Sequence, residues 1–73
     1  MTPISSITVI WGYRVHDNGG KWYVKWYCSD GATWHWTSNR ADATPVSVPC
    51  AIEMMRGVEF ITDKNLFVLE FVP

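Results

Sequence analysis

The chain has few charged residues, few cysteines and no long apolar run, and each absence excludes a class of protein. Charged residues are 18% of the 73 residues and the formal net charge is −1, whereas a general nucleic-acid coat protein is usually clearly basic. Two cysteines without zinc-ligand spacing indicate neither a disulfide-rich scaffold nor a zinc finger. No apolar run approaches the roughly 18 residues of a membrane helix, and no signal-peptide pattern is present. We therefore expect one soluble, cytoplasmic domain over residues 1–73 with free thiols.

Tryptophan, in contrast, is abundant. The chain has five tryptophans, and four of them lie within residues 22–36. A domain of this size buries only about 60% of the surface that its unfolded chain exposes, so large rings are an efficient way to build a core from few residues. We therefore expect most of the tryptophans to lie in the core.

Residues 6–16 alternate between apolar and other side chains, as a half-buried β-strand does. The pair Asn18-Gly19 follows, and Asn-Gly is the strongest short signal for a two-residue hairpin loop. Such a loop pairs Trp11 with Trp26 and places the apolar side chains of both strands on one face. The sequence therefore predicts a first hairpin in this register, with its second strand over residues 21–28.

The loop of the second hairpin is predicted in the same way, from the loop length that keeps the apolar side chains of both strands on one face. A two-residue loop would mix the two faces of the strands, whereas a three-residue loop over residues 29–31, with Gly31 in the left-handed conformation, keeps them apart. This loop pairs Trp26 with Trp34. We therefore expect Trp11, Trp26 and Trp34 to form one row of core side chains across three strands.

A short helix and two further strands are expected after the connector at residues 38–46. Ser47 is suited to cap the helix, because its hydroxyl can accept from a free N–H group of the first turn. The apolar residues then recur at helical spacing up to Gly57; they are Val48, Ala51, Ile52 and Met55. Residues 58–62 and 65–72 are typical of strands. The predicted fold is α+β, an antiparallel β-sheet with one short helix in the order β-β-β-α-β-β.

The predicted registers leave a polar and aromatic outer face on the first three strands. Alternating cations and flat rings on an open sheet are typical of surfaces that bind a partner, because rings give contact area and cations attract acidic groups. The same pattern also suits single-stranded nucleic acid, whose bases stack on rings, a solvated face, or a face covered by the helix or the last strands. The candidate partner-binding residues are Arg14, Lys21, Tyr23, Lys25, Tyr27 and His35.

No catalytic or metal-binding set is predicted. His16 and His35 lie on outer strands, offset by roughly four residues of about 3.3 Å each, which is too far for one metal ion. Cys28 points to the core in the predicted register. Cys50 lies near a helix N-terminus, where a thiol pKa is lowered, but it also suits a buried helix face. We therefore expect a protein that is not an enzyme and that has no cofactor.

The segment Gly20-Lys21-Trp22-Tyr23-Val24-Lys25-Trp26, followed by a hairpin and a helix, resembles the DNA-binding domains of phage integrases and AP2-type factors. The resemblance covers about residues 11–56. In those families a three-stranded sheet enters the major groove with basic side chains. The resemblance implies that the corresponding residues here would be Arg14, Lys21, Lys25 and His35.

The whole chain, by size and by its β-β-β-α-β-β layout, also resembles the small proteins with which phages and mobile elements block host defences, anti-CRISPR proteins among them. This resemblance implies inhibition by protein–protein contact with a host protein or ribonucleoprotein complex. Tyr23 and Tyr27 would then anchor the complex, and Arg14 and Lys25 would steer it toward an acidic partner. Two alternatives stay open. One is nucleic-acid binding by the outer face; in the other, acidic residues of the C-terminal half mimic phosphates, namely Glu53, Glu59 and Asp63.

Overall fold

A five-stranded antiparallel sheet carries one α-helix in this protein, so the α+β class is confirmed. The computed structural model describes residues 6–72. The strands are β1 (Thr8–His16), β2 (Trp22–Ser29), β3 (Trp34–Thr37), β4 (Val46–Ser47) and β5 (Phe67–Phe71), and the helix α1 is Val48–Arg56. Short 3-10 turns lie at Arg40–Asp42 and Lys64–Leu66.

β1 is the central strand of the sheet. On one side it pairs with β2 and, near its N-terminal end, with the two residues of β4; on the other side it pairs with β5. Gly12 lies where β2 and β5 both contact β1, opposite Trp26 and Val68. A Cβ atom on Gly12 would overlap the carbonyl oxygen of Lys25. The close approach of β2 to β1 therefore requires a glycine here.

The register of the first hairpin differs from the prediction by one residue. The Gly20 N–H donates to the Asp17 carbonyl (2.9 Å) and the Asp17 N–H donates to the Lys21 carbonyl (3.0 Å), which closes a three-residue loop. Gly20, at φ +79°, is the loop residue in the left-handed region. The Asp17 carboxylate also accepts from the N–H groups of Gly19 and Lys21. The prediction of a two-residue loop was wrong because Gly20 can adopt a positive φ. A three-residue loop, in which a type I turn is followed by a left-handed residue, is therefore possible.

This shift turns every side chain of β2 to the other face of the sheet, because side chains alternate with a period of two. Gly12, not Trp11, is opposite Trp26. Trp11 is buried with Val9 and Ala51 on the face that carries α1, which we call the helix face. Trp26 is buried with Ile10 and Ala43 on the opposite face. The sheet therefore has a small core on each side, and the predicted single row of tryptophans is wrong.

The second hairpin also has a longer loop than predicted. Tyr27 is opposite Trp36 and Ser29 is opposite Trp34, so that residues 30–33 form the loop. Gly31 has φ +97°, which confirms the predicted positive φ. The Asp30 carboxylate accepts from the N–H groups of Thr33 and Ala32, and these bonds hold the pKa of Asp30 below its usual value. Trp34 is 39% exposed and is not a core residue.

The predicted helix is confirmed. Ser47 caps it by accepting from the Cys50 N–H, and Gly57 follows its last residue. Ala51, Met54 and Met55 pack on the core of the helix face, whereas Ile52, expected on that side, is 43% exposed. Cys50, for which a buried position was favoured, is exposed.

The last part of the chain contains one strand instead of two. β5 lies within the predicted segment 65–72. Residues 58–62, predicted as a strand, form a turn and an extended segment that pairs with no strand. Ile61 is buried there and Phe60 is exposed. None of the helices within residues 6–72 has the length and apolar character needed to cross a membrane.

We predict that Gly12→Ala strongly destabilises the protein. The new methyl group would collide with backbone atoms of Lys25 and Trp26, and backbone atoms cannot move aside without disturbing the β1–β2 pairing. The expected loss in the free energy of unfolding is roughly 3 kcal/mol, the upper end for overpacking. Urea unfolding measures it. Gly57→Ala is the control, because its Cβ would meet its nearest atom at 3.5 Å.

We also predict that Gly20→Ala is more damaging than Gly19→Ala. Only Gly20 has a positive φ in this loop, and an alanine in the left-handed region costs about 1–2 kcal/mol. Gly19→Ala would bring a Cβ to 3.3 Å from the Asp17 Oδ1 atom, which a side chain can accommodate. Thermal unfolding of both variants gives the order. The reverse order would indicate a two-residue Asn18-Gly19 loop and the other register.

Candidate partner-binding surface

The structure divides the predicted binding residues between the two faces of the sheet. Tyr23, Lys25 and Tyr27 lie on the helix face, because each is on the odd-numbered side of β2, opposite Val15, Tyr13 and Trp36 respectively. Arg14 and His35 lie on the opposite face, paired with Val24 and Cys28. Lys21 precedes β2 in the loop. The predicted set is therefore not one surface.

A cluster of aromatic side chains covers the part of the helix face that α1 leaves open. The rings of Tyr27 and Trp34 are stacked, with centroids 4.9 Å apart and planes at 17°. Trp36 makes an edge contact with Tyr13 at 4.7 Å, and Phe60 makes one with Tyr13 at 5.7 Å. We call this cluster, together with Tyr23 on the same face, the aromatic platform; it consists of Tyr13, Tyr23, Tyr27, Trp34, Trp36 and Phe60.

The exposed rings of the aromatic platform rest on buried ones. Tyr27 and Trp36 both contact the buried ring of Trp11, at 4.9 and 5.5 Å between centroids. Trp34 lies on Tyr27, and Phe60 contacts Trp36 as well as Tyr13. Phe60 is 66% exposed. A chain of ring contacts thus runs from the core to Trp34 and Phe60 at the surface, and it holds these two exposed rings in place before any partner binds.

The polar groups of the aromatic platform are phenols and lysines. Burial, and next the neighbouring Tyr23, raise the pKa of Tyr13, so its phenol is less acidic than a solvated tyrosine. The ammonium of Lys25 lies 5.8 Å from the centre of the Tyr23 ring. Within the described residues both ion pairs lie elsewhere, between Arg40 and Glu70 and between Arg56 and Glu53. The Lys25 charge is therefore available to a partner.

The opposite face contains a thiol–imidazole pair that sequence reasoning missed. Cys28 Sγ lies 3.1 Å from His35 Nε2 on the neighbouring strand. Burial, and then Asp42 and Asp30, raise the pKa of Cys28, so the thiol stays protonated and can donate to the imidazole. A buried, protonated thiol is not the activated thiolate that nucleophilic catalysis uses. The correct hairpin registers would have revealed this pair from the sequence.

Arg14 lies at the far end of the opposite face, in a groove of about 370 Å³ between the end of β1 and residues 60–66. The exposed ring of Trp22 forms one wall and makes an edge contact with His16 at 4.9 Å. This groove and the aromatic platform share Tyr13 and Phe60. Throughout residues 6–72, no three His, Cys, Asp or Glu side chains come together as a metal site.

No family model, no curated protein and no solved structure matches this chain. The aromatic platform combines exposed rings with contacts to the buried ring of Trp11.

We predict that the two thiols differ sharply in reactivity. Cys50 is exposed, whereas Cys28 is buried and its pKa is raised. Ellman's reagent at pH 7.5 should modify Cys50 rapidly and Cys28 only after unfolding. Cys50→Ser should remove the fast phase and leave the slow one. Rapid modification of Cys28 in the folded protein would contradict the burial of the thiol–imidazole pair.

Proposed function

We propose that this chain is a small non-enzymatic interaction module that binds another protein through the aromatic platform. The observation that supports this most is the exposure of large rings that are already fixed by contacts with the core. Tyrosine and tryptophan are enriched among residues that dominate binding energies, because they combine large contact area with hydrogen bonding. Rings that do not have to be ordered on binding lose less conformational entropy.

The distribution of charge favours a protein partner over nucleic acid. Nucleic-acid surfaces neutralise several phosphates at once. Here Arg40 and Arg56 are paired with carboxylates, and Arg14 lies on the other face. Lys25 lies on the face of the aromatic platform, Lys64 lies 5.5 Å from the ring centre of Phe67, and Lys21 lies in the loop before β2. A few lysines suffice to orient an acidic protein surface, but they form a short track for a phosphate backbone.

The more specific form of the proposal is an inhibitor, encoded by a phage or mobile element, that blocks a host defence or nucleic-acid-processing complex by occupying one of its surfaces. Its support is the resemblance in size and in α+β class to anti-CRISPR-type proteins, although β4 precedes α1 and one strand follows it, so the order is not the expected β-β-β-α-β-β. A rigid aromatic surface on a domain of 73 residues suits this way of acting, because inhibition by contact requires no reactive group.

Single-stranded nucleic acid is the second candidate ligand. The stacked rings of Tyr27 and Trp34, next to Lys25 on an open part of the sheet, have the chemistry of a base-stacking surface. Such binding would weaken steeply with salt, with a slope near one per phosphate contact.

We predict that Tyr23→Ala and Trp34→Ala each abolish partner capture while the protein stays folded. Both side chains are 39% exposed, so their truncation removes little core packing, whereas loss of a central anchor weakens binding by 2 kcal/mol or more, about 30-fold. Affinity capture from lysate of a bacterial host, with quantitative mass spectrometry, compares the variants with wild type. Trp22→Ala, an exposed tryptophan on the opposite face, is the matched control.

The same variants distinguish the two candidate ligands. In anisotropy titrations with single- and double-stranded oligonucleotides at two salt concentrations, we expect weak or absent binding. Micromolar, salt-sensitive binding that is lost in Lys21→Ala/Lys25→Ala would instead favour the nucleic-acid function. Equal capture of the same proteins by wild type and both platform variants would overturn the proposed site, and capture of none by wild type would overturn the inhibitor proposal.

A further inference from the structure

The outer edge of β5 is unpaired. Among the described residues β5 pairs with β1 alone, so the backbone groups on its other edge have no strand beside them. An open edge is a template for another strand, and proteins usually protect it with lysine, proline, a bulge or a very short strand. The five residues of β5 are Phe-Val-Leu-Glu-Phe. None of these protections is present within Phe67–Phe71.

The direction of the free backbone groups follows from the pairing with β1. The Val72 N–H donates to the Thr8 carbonyl (2.9 Å), so Val72, Glu70 and Val68 belong to the hydrogen-bonded pairs that face β1. Phe67, Leu69 and Phe71 therefore point their N–H and C=O groups outward. The Phe67 N–H already donates to the Lys64 carbonyl. The free groups are the three carbonyls and the N–H groups of Leu69 and Phe71.

The side chains of β5 are apolar on the helix face, and on the opposite face the one charged side chain is neutralised by an ion pair. Phe67, Leu69 and Phe71 are opposite the core-facing residues of β1, yet Leu69 is 36% and Phe71 68% exposed. Glu70 is the single charge of β5, and the Nε of Arg40 lies 2.6 Å from its Oε2. An approaching strand therefore meets an apolar row and a carboxylate that already has a partner.

We propose that β5 pairs with β5 of a second copy of this chain, antiparallel and about a two-fold axis at Leu69. The order Phe-Val-Leu-Glu-Phe is nearly symmetric about its centre. In this register Leu69 is opposite itself, and Phe67 is opposite Phe71 of the second copy. The helix-face row of three apolar side chains continues across the axis into the same row of the second copy. Each Glu70 is opposite Val68, so like charges do not meet.

The free backbone groups fit the same register. The two Leu69 residues exchange two hydrogen bonds, and the Phe71 N–H of each copy donates to the Phe67 carbonyl of the other. Moving the axis to Glu70 would place two carboxylates opposite each other, and moving it to Val68 would place Phe71 opposite Asn65. A register shifted by one residue would place the outward-pointing backbone groups of one copy opposite residues of the other copy whose backbone groups point inward. The register with its axis at Leu69 thus pairs the free backbone groups, aligns the apolar rows and keeps the two carboxylates apart.

The partner is a second copy because the symmetry of the segment makes the edge complementary to itself, as a two-fold interface requires. Five residues from each chain form a small interface, so we expect a dissociation constant in the micromolar range or weaker, on the order of 10–100 µM. β3, with Trp34, lies at the other edge of the sheet. The dimer therefore leaves that part of the aromatic platform open, and this inference is independent of the proposed function.

Sedimentation equilibrium of the full chain from about 5 µM to 1 mM tests the proposal. Wild type should show a monomer–dimer equilibrium. Leu69→Lys would place two lysines opposite each other at the axis and should weaken the dimer at least tenfold. Ile52→Lys is the matched control, because Ile52 is similarly exposed, at 43%, but lies on α1; it should leave the equilibrium unchanged. A wild type that stays monomeric at 1 mM, or equal weakening by both variants, would overturn the proposal.

Disulfide trapping tests the register without relying on a lysine at the edge. In a Cys50→Ser background, Leu69→Cys brings two thiols together at the axis, where paired Cα atoms about 5.5 Å apart suit a disulfide. Val68→Cys is the control, because its opposite residue is Glu70 and its side chain lies on the other face. We expect mild oxidation to link the first variant at least tenfold faster. Equal rates, or dimers that cannot be trapped at residue 69, would contradict this register.

Discussion

The structure depends most on one backbone conformation, the positive φ of Gly20. With Gly20 at φ +79°, the first loop has three residues and Gly12 is opposite Trp26. A loop one residue shorter would reverse the faces of β2. Every later feature inherits this register: which rings contact Trp11, which face Cys28 occupies, and on which face Lys25 is displayed. The conformation of one glycine is therefore coupled to the composition of both cores and of the surface.

The register divides the aromatic residues between two thin layers. On the helix face Trp11 is covered by α1 at one end and by Tyr27 and Trp36 at the other. On the opposite face Trp26 packs with Ile10 and Ala43, and Arg40 lies 6.0 Å from its ring centre. A domain of this size cannot cover both layers completely. Rings at the margin of the helix-face layer are consequently exposed but still in contact with buried ones.

That geometry supports the functional proposals. The aromatic platform exists because the helix is nine residues long and covers only part of its face. Residues 58–62, predicted as a strand, pair with no strand, and within residues 6–72 the outer edge of β5 is left open. At both surfaces, apolar groups stay exposed because no other helix or strand among the described residues of this short chain covers them. β3, with Trp34, lies at the other edge of the sheet from β5, so binding along β5 leaves that part of the aromatic platform accessible.

Local chemistry was sufficient to predict the elements whose signals are contained in a few residues. The strand within residues 6–16, the Ser47 cap, the end of the helix before Gly57 and the left-handed Gly31 were all predicted and are confirmed, whereas the expected half-buried alternation is wrong because Val9, Ile10 and Trp11 are all buried. The α+β class follows from them. The Cys28–His35 pair and the aromatic platform were not predicted, because each joins two strands and depends on their register.

Two loop types were compatible with Asp-Asn-Gly-Gly, and each placed a reasonable set of apolar side chains on one face. The choice between them was made by tertiary structure. Arg40 and Ala43 cover the opposite face, so Trp26 can be buried there, and β1 has a glycine at the point where β2 approaches most closely. The amino-acid sequence by itself determined the strands, the helix and the turns, since those depend on neighbouring residues. Only the packing of distant segments on both faces decided which side of β2 is the inside.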